Sequence, residues 1–187
     1  MTASPRLKCF IASAFGFEDV DRVYDRVVRR VLREQGVKAL RVDRVEHNED
    51  IDNQIFHLLN ASQLCIADLT HARPSVYYEA GYATGKEKPV IYIVRSDHFR
   101  RRSNAEDPHG NLRVHFDLQM KNVISWDGSL VDFEKRLIRR LKLVLRFLKR
   151  PATADAEKRE RDEFAKCSIH ERQQRLEVIA KRALRRA

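Results

Sequence analysis

The sequence predicts a three-layer α/β fold in which helices cover both faces of a five-stranded parallel sheet. Short segments that are apolar on both faces alternate with amphipathic helical segments along the first 150 residues. This alternation is typical of a parallel sheet whose crossover helices bury both of its faces. Several of the apolar segments are rich in β-branched residues, as buried strands are. With five strands, we expect the flavodoxin-like order 2-1-3-4-5.

The individual elements follow from local patterns. In the first helix Val20, Val23, Val27 and Val31 recur at helical spacing, and Gly36 follows its end. Strands are predicted over residues 8–12, 37–42, 63–69, 89–94 and 121–126, and helices over 19–35, 49–60, 74–84 and 130–148.

Two domains are expected. Residues 1–150 form the α/β domain, with a long polar connection over 95–113. Residues 151–187 carry many charges of both signs and few large apolar side chains, so we expect a charged tail with one or two exposed helices.

The chain of 187 residues has a formal net charge of +10, which favours anionic partners or a solvated basic face. Residues 133–150 hold eight Lys or Arg and one Glu. We favour the solvated face over a nucleic-acid interface here, because no stacking aromatic residues interleave with these charges.

The sequence disfavours metal-binding, cofactor-binding and membrane proteins. The three cysteines form no CxxC pair, and the seven histidines have no ligand spacing, so we expect no metal and a reducing compartment. Neither a dinucleotide fingerprint nor a P-loop is present, and no cofactor is expected. No apolar segment reaches the length of a membrane span, which predicts a cytoplasmic protein without membrane partners.

Two carboxylates mark the candidate site. Ligands of such sheets bind beyond the carboxyl ends of the strands, where strands one and three diverge. Asp68 ends the third strand, and Glu79 lies in the first turns of the next helix among small and apolar residues. A carboxylate there is costly unless it is paired, neutralised or used. As alternatives, Asp68 caps the following turn, and Glu79 forms a structural ion pair with Arg41 or Arg73.

The segment ADLTHARPSVYYEAGYA at residues 67–83 resembles the nucleoside 2-deoxyribosyltransferase superfamily, and more closely its TIR-like nucleotide-binding effector relatives. Three shorter pieces agree with it, and the resemblance covers about residues 7–148. The pieces are FIASAF at 10–15, RVD at 41–43 and HFDL at 115–118.

The resemblance implies that Glu79 attacks or stabilises the anomeric carbon of a ribosyl group, because cleavage of an N-glycosidic bond leaves positive charge on the sugar. A second carboxylate, Asp43 or Asp68, would hold the sugar hydroxyls, and Phe15 or Tyr78 would stack on the base. Arg73 suits a phosphate. Ser13, Arg41 and Ser75 complete the set of expected ligand-binding residues.

The sequence therefore predicts N-glycosidic cleavage or exchange on a nucleotide, nucleoside or NAD-like substrate. A non-catalytic TIR-like nucleotide sensor, which signals through oligomerisation or the basic tail, is the main alternative. A basic interaction module with a vestigial cleft is a third. A homo-oligomer is expected in either of the first two cases.

Overall fold

The structure is a computed structural model, and it describes residues 7–44, 51–99 and 113–149. The chain divides into two compact units, Met1–Leu148 and Lys149–Ala187. The fold described below belongs to the first unit. The predicted tail lies outside the described residues.

Five parallel strands form one sheet in the order β2-β1-β3-β4-β5, which confirms the predicted architecture. The strands are β1 Lys8–Ala12, β2 Lys38–Leu40, β3 Leu64–Asp68, β4 Val90–Arg95 and β5 Ile124–Trp126. The central strands are apolar at almost every position because both faces of the sheet are covered.

The helices connect and cover these strands. They are α1 Glu18–Val23, α2 Arg29–Glu34, α3 Ile51–Ala61, α4 Pro74–Gly85, α5 Ser96–Phe99, α6 Phe116–Gln119 and α7 Leu130–Lys149. Short 3-10 turns occupy Val42–Arg44 and Thr70–Ala72. No helix in the described ranges is long and apolar enough to cross a membrane.

Two apolar cores flank the sheet. On one face, residues of α1, α2 and α7 such as Val23, Leu32 and Leu137 pack on Ile11 and Ile66. On the other face, residues of α3 and α4 pack on a separate set of strand residues, including Phe10, Cys65 and Ala67. Alternate strand residues thus serve opposite cores, as the pleat of a strand requires.

The predicted first helix contains a π-helical turn at Tyr24–Val28, which joins α1 to α2. Tyr24, Val27 and Val28 are all buried within this turn. A π-turn is uncommon and usually appears as a single turn inside an α-helix. It allows both α1 and α2 to keep a buried face on the sheet.

Some predicted boundaries are wrong. The second strand was expected over 37–42 but ends at Leu40, where the buried Arg41 turns toward carboxylates and a 3-10 turn follows. The fifth begins at Ile124 rather than 121. The polar connection predicted over 95–113 starts instead with the last residue of β4 and helix α5. Residues 100–112 of that connection lie outside the described ranges.

Candidate active site

Glu79 lies on the buried face of α4. It is only 5% exposed and shares that face with Val76, Ala80 and Ala83. Pro74 at the first turn starts this helix directly after the loop that leaves β3. The apolar neighbours explain the burial, since small side chains let α4 pack close to the sheet.

The Glu79 carboxyl has no ion-pair or hydrogen-bond partner among the described residues. Burial alone raises its pKa from 4.5 to about 7. Removal of the carboxylate from water disfavours its charge, and no cation in the described ranges offsets this effect. Glu79 is therefore a carboxyl group that is available in both protonation states near neutral pH.

Cys65 of β3 lies within electrostatic range of this carboxylate. Burial and, second to it, the Glu79 charge together raise the pKa of the Cys65 thiol to about 12. The thiol is fully buried and stays neutral, so it acts as a small apolar side chain under α4.

Asp68 ends β3 and is 4% exposed. Its Oδ1 accepts hydrogen bonds from the Thr70 N–H at 3.0 Å and the Thr70 hydroxyl at 2.5 Å. Burial raises the pKa of Asp68 to about 6, although the Thr70 bonds oppose the increase. These bonds are those expected of a carboxylate that caps the following turn. No described donor reaches Oδ2.

Arg41 is fully buried at the end of β2 and is surrounded by acidic and aromatic groups. Its Nη2 donates to Asp21 Oδ1 at 2.5 Å, and its Nε lies 3.0 Å from Asp43 Oδ1 without hydrogen-bond geometry. The guanidinium carbon lies 4.9 Å from the Tyr24 ring centre and 5.6 Å from that of Phe15. Both contacts are cation–π interactions.

The loop after β1 supplies two further candidates. Phe15 is 42% exposed, so the ring that covers Arg41 also meets solvent. The Ser13 Oγ is buried without a hydrogen-bond partner among the described residues, and so is Arg41 Nη1. Buried polar atoms of this kind normally find a partner. Ser13 and Arg41 follow directly after the carboxyl ends of the adjacent strands β1 and β2.

The start of α4 presents the remaining candidates to solvent. Arg73 is the residue that precedes the helix, and Ser75 is its second residue; both are exposed. Tyr78 is 65% exposed and meets Phe56 of α3 edge-on, with ring centres 6.0 Å apart. An arginine and an exposed aromatic ring thus flank the helix that carries the buried glutamate.

The structure places all predicted site residues beyond the carboxyl ends of β2, β1 and β3 or on the first turns of α4. It joins Arg41 to Asp43 and to Phe15. No ion pair or hydrogen bond in the described ranges joins Glu79 to Arg41, Arg73 or Asp68. The alternative in which Glu79 is an ion-pair partner of either arginine has no contact to support it.

Sequence reasoning missed a polar network that borders Asp68. Both oxygens of the Asp19 carboxylate lie 3.1 Å from His71 Nε2, and Arg95 also donates to Asp19. Burial raises the pKa of Asp19, but its partners, first among them His71, outweigh this and lower it overall. The Asp19 charge in turn contributes to the raised pKa of Asp68.

His71 is held in an unusual conformation within this network. Its backbone has φ of 65°, its ring stacks on Phe17 with centres 4.1 Å apart, and its N–H donates to His98 Nδ1. A left-handed backbone at a residue other than glycine is uncommon. The only sequence signal for this network is the position of His71 directly after the Ala-Asp-Leu-Thr segment.

No group of three or more metal-ligating side chains occurs among the residues that the structure describes.

The chain matches no protein-family model and no curated protein. Among solved structures, a conserved protein from Enterococcus faecalis is 17% identical, with a TM-score of 0.52 over 73% of this chain and 98% of that one. A 2-deoxyribosyltransferase from Leishmania mexicana is 18% identical, with a TM-score of 0.47 over 71% of this chain and 97% of that one. The CMP N-glycosidase of Clostridium botulinum is 17% identical, with a TM-score of 0.43 over 73% and 98%. The Enterococcus structure shows that this α/β fold is shared.

Proposed function

We propose that this protein cleaves or exchanges the N-glycosidic bond of a nucleotide, nucleoside or NAD-like molecule, with Glu79 as the reactive carboxylate. One observation carries the proposal: Glu79 is buried on α4 without a described cationic partner, and its pKa is raised to about 7. A carboxylate in that state is expensive for a fold to keep unless a ligand uses it.

The chemistry requires this arrangement of charge. As the bond between C1 of the sugar and the base nitrogen breaks, its electron pair leaves with the base and the sugar becomes cationic. A desolvated carboxylate stabilises that cation strongly, or bonds to C1 and forms a glycosyl ester that water or a second base then opens. Because no arginine or lysine in the described part of the chain pairs with Glu79, its charge stays available for the sugar.

Asp68 supports this step in a second role. With a pKa raised to about 6 and Oδ1 held by Thr70, its Oδ2 is available to bind a sugar hydroxyl. Asp43 is partly exposed and held beside Arg41, which also makes it suitable for a ligand hydroxyl.

Two aromatic rings and one arginine suit the other parts of a nucleotide. Phe15 and Tyr78 expose their rings beyond β1 and on α4, where a base can stack. Arg73 is exposed at the start of α4, where a guanidinium and the helix N-terminus both favour a phosphate. The alternative of a TIR-like sensor uses the same contacts and differs only in the absence of bond cleavage.

The test is incubation of the full chain with a panel of nucleosides, nucleotides and NAD, followed by chromatographic detection of free base. We expect at least one member of the panel to release its base, and Glu79→Gln to abolish that release. Glu87→Gln, which removes an exposed carboxylate just after α4, is the matched control and should keep full activity. Nucleotide binding without release of base from any substrate would favour the sensor instead.

A further inference from the structure

A basic cavity lies between α7 and β5, the strand at the end of the sheet. It has a volume of about 250 Å³. Three of its lining residues are arginines: Arg136, Arg139 and Arg140. The others are Asn122, Val123, Ile124 and Leu143. None of these lining residues is acidic. The cavity is separate from α4, which packs mainly on β3.

Two of the three guanidinium groups are fixed by the backbone beside β5. Arg136 Nη2 donates to the Ser125 carbonyl oxygen, and Arg140 Nη1 donates to the Asn122 carbonyl oxygen at 3.2 Å. These bonds cap the open edge of the strand, where unpaired backbone groups otherwise invite pairing with another strand. Because these bonds use only part of each planar group, the arginines keep further donors.

The charge balance around the cavity is positive. Asp132 lies 3.0 Å from Arg136 and offsets one charge. Arg140 has no carboxylate partner in the described part of the chain, and Arg139 is exposed and has no described partner of any kind. Guanidinium groups bind phosphate oxygens well because their donors form a planar fork. An anion, and a phosphate in particular, is the ligand that this lining fits.

An exposed aromatic ring lies on the same side of α7 as these arginines. Arg136, Arg140, Leu143 and Phe147 follow one another at spacings of three or four residues, which places them on the same side of α7. Leu143 is 55% exposed and Phe147 is 64% exposed. The expectation of a solvated face rests on an absence of stacking aromatic residues among these charges, and that premise is wrong. Phe147 lies between Arg146 and Lys149 and shares the arginine side of α7.

We propose that this arginine cavity and Phe147 bind single-stranded nucleic acid. The arginines contact successive phosphates, and Phe147 stacks on a base, which is the combination that sequence-tolerant single-strand binders use. The proposal is independent of Glu79 and of any activity at α4. The expected ligand is a polyanion because several cations and an exposed ring share one side of α7, whereas a lone small anion would use only the cavity.

Fluorescence anisotropy of the full chain with a short labelled single-stranded oligonucleotide tests the proposal, with the salt concentration varied. Arg139→Gln should weaken binding several-fold and lower the slope of log K against log salt by about 0.7. Phe147→Ala should weaken binding about tenfold through lost stacking. Arg33→Gln removes an equal charge from an exposed site on α2 and is the matched control. It should leave affinity close to that of the wild type.

Equal losses from Arg33→Gln and Arg139→Gln would show a general effect of net charge and would overturn the proposal. Undetectable binding of the oligonucleotide to the wild type would also overturn the proposal, as would an affinity that is unchanged in both Arg139→Gln and Phe147→Ala. Sedimentation identifies another occupant: if Phe147→Ala changes only the oligomeric state, this face binds a second copy of the chain. Any base release measured in the wild type should be unchanged in Arg139→Gln.

Discussion

Thr70 donates two hydrogen bonds to the same oxygen of Asp68, one from its backbone N–H and one from its hydroxyl. The Thr70 hydroxyl also accepts the backbone N–H of Arg95, which ties the loop after β3 to the end of β4. Two opposing effects therefore set the protonation of Asp68: burial favours the neutral acid, and Thr70 favours the carboxylate.

Loss of the Thr70 hydroxyl should raise the pKa of Asp68 further above about 6, because a hydrogen bond to the charged form is removed while burial remains. We expect this result for Thr70→Val and little change for Thr70→Ser, which keeps the hydroxyl. Carboxyl-carbon NMR titration measures both. An Asp68 pKa that is unchanged in Thr70→Val would show that the hydroxyl bond does not act on this carboxyl.

Replacement of Glu79 by Gln should reduce turnover by about 100-fold or more while ligand affinity changes little, since the carboxylate acts mainly when the sugar becomes cationic. Single-turnover base release and equilibrium binding separate the two quantities. Wild-type turnover should rise with pH through about 7 as Glu79 ionises. Activity that falls only in proportion to the folded fraction would instead indicate a structural role.

Burial of Glu79 should make the stability of the fold depend on pH. Its pKa is about 7 in the folded chain and ordinarily 4.5, so the folded state binds the proton more tightly. The corresponding stabilisation is fully present below pH 4.5 and is lost as the pH rises through 7. Over this range the free energy of unfolding should fall by on the order of 3 kcal/mol.

Glu79→Gln removes this dependence. The free energy of unfolding of the variant relative to the wild type should therefore increase from pH 5 to pH 8 in urea titrations. The pKa of Asp68 is also raised, but Asp68 is present in both the wild type and the variant, so its effect cancels in the comparison. A relative stability that stays constant over this range would contradict the raised pKa of Glu79.

Removal of the Arg41 side-chain charge should leave Asp21 and Asp43 without their shared cation. We expect Arg41→Met to lower the free energy of unfolding by about 3 kcal/mol, near the lower end for a broken buried ion pair because both carboxylates are partly exposed. Arg44→Met is the control. Arg44 is half exposed, and its ion pairs are longer, so its loss should cost less than about 1 kcal/mol. Urea titration measures both variants, and equal losses would argue against a central role for Arg41.

Deletion of residues 151–187 should leave a cooperative melting transition, because the described residues before this segment already form an extensive apolar core on each face of the sheet. The chain also divides at Lys149 by its internal contacts. Differential scanning calorimetry of the shortened chain measures the transition. A chain that loses the transition would show that the deleted segment belongs to the core.

The sheet was predictable from sequence because its strands are apolar on both faces and alternate with amphipathic helices. Local signals also located Glu79, a single charge in an apolar stretch, and Asp68 at the end of a strand. These features depend on neighbours within a few residues, which a sequence displays directly.

The network around Asp68 was not predictable in this way. Asp19 meets His71 across 52 residues and Arg95 across 76, so no local pattern connects them. The short α5 and α6 were missed for a related reason, since four-residue helices are too short to show a helical period. The partners of Arg41 depend likewise on how the first helix crosses the end of β2.

The π-helical turn at Tyr24–Val28 has a consequence for the spacing of residues along the chain. A π-turn holds one residue more than the α-helical turn it replaces. Excision of a single residue from this turn would therefore restore a regular α-helical turn and leave the residues before it in nearly the same phase relative to α2. Excision of a residue from α2 itself would instead rotate them by about 100°. Only the second deletion would turn Asp19 and Asp21 away from Arg95 and Arg41, so the π-turn accommodates one extra residue while the helix keeps its polar partners.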